Sequence, residues 1–188
     1  DSNTIVFPAA ILQAPFYSLE QSSSQNYGGI GAVIAHEISH AFDNNGAQFD
    51  KEGNLNKWWL DKDYEAFEEK QKEMIALFDG VETEAGPANG KLIVSENIAD
   101  QGGITAALTA AKDEKDVDLK AFFSQWAKIW RMKASKEFQQ MLLSMDVHAP
   151  AKLRANIPPT NLEEFYETFD VKETDKMYRA PENRLKIW

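Results

Sequence analysis

The sequence predicts a mainly α-helical fold with a few short β-strands, in a single domain spanning residues 1–188. Three observations carry that expectation. Apolar residues recur at helical spacing through most of the chain. Strand-like runs are few and short. No internal repeat or low-complexity linker divides the sequence, and 43% hydrophobic with 11% aromatic residues is enough apolar material for a core.

Taken in order, Thr4-Ile5-Val6-Phe7 reads as a short strand. The apolar run Pro8–Tyr17 carries two prolines, which keep it from being one regular element, and is expected to line a wall. Ser22–Asn26 is a polar approach to a helix over about 28–43 that begins among glycines and ends at Asp43-Asn44-Asn45-Gly46. Lys51-Glu52-Gly53-Asn54 makes a second turn. A helix over about 57–78 turns Trp58, Tyr64, Phe67, Met74, Ile75 and Phe78 inward and a Glu/Lys-rich face outward. After the Gly86–Gly90 loop, a helix runs from Ser95 to about 111, and others lie near 118–133, 135–145 and 161–169. Thr160-Asn161-Leu162-Glu163 reads as a capping box for the last of these.

A net charge of −10 argues against nucleic-acid or anionic-membrane binding, since both require a basic face. With no cysteine, disulfides, thiolate catalysis and Cys-type zinc sites are excluded, so metal ligands would be His or carboxylate. No apolar run reaches about 18 residues, so no membrane segment is expected in this portion. The chain opens without Met at Asp1-Ser2-Asn3 and runs straight into an apolar stretch, as expected of a piece of something longer.

His36-Glu37-Ile38-Ser39-His40 is the most specific motif. Residues four apart on a helix share a face, so both imidazoles can reach one ion, while Glu37 projects about 100° around the axis, near an ion but outside its ligand set. Shuffling this composition yields H-E-x-x-H in roughly one chain in two hundred. The competing reading, the polar face of an ordinary helix, fits poorly with flanks that are small or apolar almost all round. Catalytic zinc takes three protein ligands, so His, Asp or Glu must supply the third. Glu96 and Asp100, four apart at a helix start, can ligate and orient respectively, although acidic first turns are also common beside a helix N-terminus. His148, two residues after Asp146, lies in a loop where it is either merely exposed or a donor to a developing oxyanion. Arg154 can grip a peptide carbonyl through its forked donors.

Beyond the motif, Asn3-Thr4-Ile5-Val6-Phe7-Pro8-Ala9, Ile11-Leu12-Gln13, Asn26-Tyr27-Gly28-Gly29-Ile30-Gly31, Phe42-Asp43, Glu96-Asn97-Ile98-Ala99-Asp100, Val147-His148-Ala149-Pro150 and Trp188 run from end to end of the chain. In that order they resemble the catalytic portion of neprilysin-like zinc metallopeptidases, a family that includes endothelin-converting enzyme and bacterial oligopeptidases. The resemblance implies a thermolysin-like catalytic lobe and one Zn2+ held by His36, His40 and Glu96. It further implies Glu37 as general base, Asp100 steadying His36, His148 stabilising the tetrahedral intermediate and Arg154 binding the substrate backbone. Asp43 and Asp146 are implied as supporting carboxylates around His148. Ile11, Phe16, Val33, Ile129 and Trp130 would form the pocket for the residue after the scissile bond, with plain core as the other reading of those five.

The activity so implied is hydrolysis of internal peptide bonds of oligopeptides, on the amino side of hydrophobic residues. The alternative is a zinc-binding but catalytically silent fragment or binding module. The family's substrate-pairing Asn-Ala-aromatic-Tyr strand and its large helical region are absent from the chain. The expected partners are therefore an oligopeptide substrate and an N-terminal region of the same protein, without which cleavage should be poor. The lack of cysteines and glycosylation sequons suggests a bacterial origin, with cytoplasm and cell envelope both open.

Overall fold

The computed structural model of the chain describes residues 3–188. Among the described residues eight α-helices carry the fold: α1 (Ser23–Asn26), α2 (Ala32–Ser39), α3 (Asp61–Phe78), α4 (Val94–Lys112), α5 (Leu119–Ile129), α6 (Lys136–Met145), α7 (Ala151–Asn156) and α8 (Glu163–Phe169). Among the described residues the only sheet is the antiparallel pair β1 (Glu82–Thr83) and β2 (Gly86–Pro87). No helix of the described residues is long and apolar enough to cross a membrane.

The first half is organised by one rod. Ser22 caps α1 by accepting from the Gln25 N–H while the Gln25 side chain accepts from the Ser22 N–H, a reciprocal box in what reads from sequence as a polar approach. The rod widens into a π turn at Tyr27–Gly31, continues as α2, and tightens into a 3-10 turn at His40–Phe42. Gly28 and Gly29 permit that path. A Cβ on Gly28 would stand 2.2 Å from the Phe122 carbonyl oxygen, and one on Gly29 would stand 2.4 Å from that of Phe16.

Helix α4 is the central element, with 12 of its 19 residues buried. It therefore has no amphipathic stripe; apolar neighbours meet it on two sides. On one side Ala32, Ile104, Leu108, Phe122, Trp126 and Phe165 form a cluster with α2, α5 and α8. On the other, Phe67, Met74, Phe78, Ile98 and Leu153 join α3 and α7 to it. In α5 the inward residues fall at Phe122, Trp126 and Ile129, the helical spacing that a core-facing helix requires.

Several expectations need correction. Thr4–Phe7 is not part of a sheet; Val6 is 75% exposed, without the apolar face that would anchor a strand. Helix α3 starts at Asp61, where the Asp63 carboxylate accepts from the Leu60 N–H. Trp58 therefore lies before the helix and is exposed, in edge contact with Phe42 and Trp59, instead of facing inward along α3. Thr160 does not cap α8. Its hydroxyl donates to the Ile157 carbonyl inside a 3-10 turn over Pro158–Asn161, and Leu162 occupies the cap position. The short helix α7 has no counterpart among the elements expected from sequence.

Candidate metal centre

His36 and His40 project from the end of α2 toward the first turns of α4, and two glycines bring the helices together. A Cβ on Gly103 would stand 2.7 Å from the Ala32 carbonyl oxygen and 2.9 Å from the His36 nitrogen, and one on Gly102 would stand 2.5 Å from Ser39 Oγ. Only glycine lets the backbones approach this closely. The approach sets Glu96 and Asp100, one turn apart on α4, beside His36.

Three atoms then converge. His36 Nε2 and His40 Nε2 are 3.1 Å apart, and Glu96 Oε2 lies 3.2 Å from the first and 3.4 Å from the second. Zinc with ligand bonds of about 2.0–2.1 Å in a tetrahedron needs ligand atoms about 3.3 Å apart. Glu96 Oε2 is buried and has no hydrogen-bond partner among the described residues. A buried acceptor without a partner is costly, and a cation is the group that would satisfy it. The donor set therefore fits a zinc ion.

Each ring is fixed from behind. His36 Nδ1 meets Asp100 Oδ1 at 2.9 Å, and His40 Nδ1 meets Asp43 Oδ2 at 2.7 Å. A carboxylate on Nδ1 sets the tautomer and leaves Nε2 for a metal. Asp100 thus stands where the sequence suggests. Asp43 does not support His148; it holds His40, because the 3-10 turn brings residues three apart onto one line. Its other oxygen accepts from the Asn45 and Gly46 N–H groups at 2.7 Å each, and Ser95 Oγ donates to Oδ2 at 2.6 Å. Sequence reasoning misses Ser95 altogether; its hydroxyl lies 52 positions from Asp43 and gives no periodic signal.

His148 joins the same cluster. Its Nε2 lies 3.2 Å from Glu96 Oε2, and its Nδ1 is 2.8 Å from Asp146 Oδ1, which also accepts from the His148 N–H. The side chain is 41% exposed. Arg154, expected to face substrate, gives Nε and Nη2 to Asp100 and stacks over the Trp130 ring at 3.8 Å. Glu37 is exposed and lies outside the cluster.

The charges are strongly coupled. Asp43 on one side and Glu96 on the other raise the His40 imidazole to about 10 against the effect of burial. Burial works to lower His36, yet Asp100 and Glu96 outweigh it and the pKa rises. Burial pushes the Glu96 carboxyl up, but the imidazoles of His148, His36 and His40 hold it well below the usual carboxylate range. Asp100 is likewise lowered, its burial overcome by Arg154 and His36.

Beside the centre lies a cavity of about 630 Å3. Ile129 and Trp130 line it together with His148 and Arg154. Phe16 and Val33 are not among its walls; they pack against the cluster that contains Ile129. Ile11, half-buried in a 3-10 turn at Ala9–Ile11, does not reach the cavity either. The five expected pocket residues thus divide, two on the wall and three elsewhere.

Comparison with known proteins gives matches along the whole chain. The family model described as peptidase family M13 matches residues 1–185. A neutral endopeptidase of Lactococcus lactis is 99% identical over 188 residues, covering 100% of this chain and 30% of that protein. Neprilysin-3 of Drosophila melanogaster is 36% identical over 200 residues, covering 99% of this chain and 25% of its own length. The crystal structure of the zinc metalloprotease Zmp1 of Mycobacterium tuberculosis with an inhibitor superposes with a TM-score of 0.95 at 37% identity, over 100% of this chain and 31% of that one. The chain therefore spans about a third or less of the length of these relatives.

Proposed function

The chain belongs to peptidase family M13, and from that membership and the geometry above we propose that it forms the zinc centre of an endopeptidase acting on oligopeptides. The observation that carries the proposal is the convergence of His36 Nε2, His40 Nε2 and Glu96 Oε2 at 3.1–3.4 Å, with both rings anchored on Nδ1 by carboxylates. These three residues would hold the ion. When bound, zinc would polarise the attacked carbonyl and acidify the attacking water.

The chain's own residues do the rest. Glu37, exposed one position beyond His36, takes the water's proton and hands it to the leaving amine. His148, whose pKa Glu96 and Asp146 raise, donates to the oxygen of the attacked carbonyl as it gains charge. Arg154 fixes Asp100 and hence His36 and, as a residue that also lines the cavity, would offer its guanidinium to a substrate carbonyl. Ile129 and Trp130 offer apolar area to the side chain after the scissile bond, which favours cleavage before hydrophobic residues. Glu37 has no task in a purely structural site, which weighs against a silent zinc module.

The test uses the full-length protein. Glu37→Gln should keep one zinc per chain, by metal analysis, and lose peptide hydrolysis by about a thousandfold or more. Turnover at the wild-type rate would remove Glu37 from the role of base.

A further inference from the structure

Partly buried cations in this chain have acidic partners, with one exception. Among the described residues, the Lys and Arg side chains that are not exposed are Lys70, Arg154, Arg179 and Arg184. Lys70 pairs with Glu73, Arg154 with Asp100 and Arg184 with Glu163. Arg179 pairs with no acid among the described residues. Its position is nonetheless fixed. The Arg179 N–H donates to the Tyr166 hydroxyl at 3.0 Å, its carbonyl accepts from Arg184 Nε at 3.0 Å, and its own Nε donates to Thr160 Oγ1 at 3.3 Å. Nη1 and Nη2 have no acceptor among the described residues. Burial lowers the Arg179 pKa, opposed by Tyr166 and not by a carboxylate. A charge that gives up water without gaining a partner is a net cost, and an anion would remove that cost.

Arg179 stands on a groove. It lines a cavity of about 720 Å3 between α3 and residues 178–185, which shares no wall residue with the cavity beside the metal centre. Of the acids on this cavity, Glu73 is taken by Lys70, and Glu182 is exposed and in no ion pair among the described residues. Through Lys70 the groove continues into a cavity of about 410 Å3 walled by Trp59, Phe67 and Trp188. Trp188 is 47% exposed, and Trp58 and Leu60 close by in sequence to Trp59 are exposed as well. Asp63, Lys70 and Leu77 line the two cavities at steps of seven, so they mark one face of α3 over about 21 Å. That length takes about six residues of extended chain. The groove is aromatic at one end and cationic at the other. The Lactococcus lactis relative that is 99% identical has most of its length outside the stretch this chain matches, and in a protein of that length ample chain is available to fill it. We propose that the groove docks a segment of the full-length protein from outside residues 1–188, with an Asp or Glu of that segment held by Nη1 and Nη2 of Arg179. The guanidinium fork matches a carboxylate, and tethering to the same polypeptide supplies the segment at high effective concentration.

Photo-crosslinking in the full-length protein tests this. The crosslinking residue p-benzoylphenylalanine replaces Glu182, which lines the cavity, is exposed and takes no part in the metal centre. Irradiation should join it to a segment outside residues 1–188 that contains Asp or Glu, located by peptide mapping. Amide substitution of that acid and Arg179→Gln should then each speed hydrogen exchange over residues 178–188 by about fivefold, and the double variant should be no faster than either, as two partners in one contact require. Arg179→Lys, which keeps the charge but not the fork, should recover part of the protection. Should Arg179→Gln fail to fold, judged by its melting curve, substitution of the segment's acid alone must give the fivefold loss. Crosslinks confined to residues 1–188, crosslinks to a second copy or no crosslink at all overturn the docking, as do additive losses in the double variant. A free anion in the groove gives a different result: millimolar phosphate would slow exchange over residues 178–188 in the wild type and not in Arg179→Gln, and this too would overturn the docked segment.

Discussion

Arg154 holds Asp100 with two parallel hydrogen bonds, Nε to Oδ2 and Nη2 to Oδ1, each 2.8 Å, and the same Oδ1 lies 2.9 Å from His36 Nδ1. The orientation of a metal-facing ring on α2 thus depends on a cation from α7. Asp100 is 1% exposed, so Arg154→Met would leave a buried charge without its partner, at a cost of about 3 kcal/mol in urea denaturation. The sign with pH comes from the lowered Asp100 pKa. Its stabilisation is present above about pH 4, the unfolded value, and is lost as pH falls through the folded one. In Arg154→Met burial acts with less opposition, so acid unfolding should begin at higher pH than in the wild type. An unchanged acid limb would show that Arg154 is not the group keeping Asp100 ionised.

Gly103→Ala tests whether close helix packing builds the site. The new Cβ meets backbone atoms of Ala32 and His36 at 2.7–3.0 Å, and these cannot swing aside as a side chain can. Helices α2 and α4 must separate, costing about 1–3 kcal/mol and drawing Glu96 away from the two imidazoles. Zinc affinity should fall together with stability. A variant that lost stability but kept wild-type zinc affinity would show that the ligand geometry is independent of this contact.

The carboxylates behind the rings should separate by readout. Asp43→Ala and Asp100→Ala each remove the anchor of one ligand ring and should weaken zinc about tenfold to hundredfold in competition with a chelator. Asp146→Ala acts on His148 instead and should lower kcat with little change in zinc affinity. A large zinc defect in Asp146→Ala would mean that His148 contributes to holding the metal.

Spacing along a single helix is the part of the site that the sequence makes legible. His36 with His40 and Glu96 with Asp100 are pairs four apart on one helix, and Asp146 with His148 is a contact between near neighbours in a loop. The partner of Asp43 is hidden because α2 tightens at its end. A uniform 3.6-residue pitch puts Asp43 off the line of His40, whereas the 3-10 turn places it directly behind the ring. Contacts made only by tertiary packing leave no pattern to read: Ser95 on Asp43, Arg154 on Asp100 and Trp130, and the exclusion of Phe16 and Val33 from the cavity wall. Helix α7 is six residues long, too short to show a period.

Metal loading should reverse the chain's response to pH. His40 is raised to about 10 in the metal-free chain, so near neutrality it carries a proton on the ring that zinc would need to occupy through Nε2. Zinc uptake at pH 7 should therefore release protons, visible as a dependence of the calorimetric heat on the buffer's ionisation enthalpy, and affinity should rise with pH while that proton must be displaced. The stability of the metal-free chain has the opposite slope. A group with a raised folded pKa contributes fully below its unfolded value, about 6.5, and that contribution is lost as pH rises through about 10. Between these limits the metal-free protein should lose melting temperature with rising pH while the zinc-loaded protein holds or gains. Parallel slopes in the two forms would mean that zinc does not displace protons from these imidazoles, and the ligand assignment of His40 would fall with them.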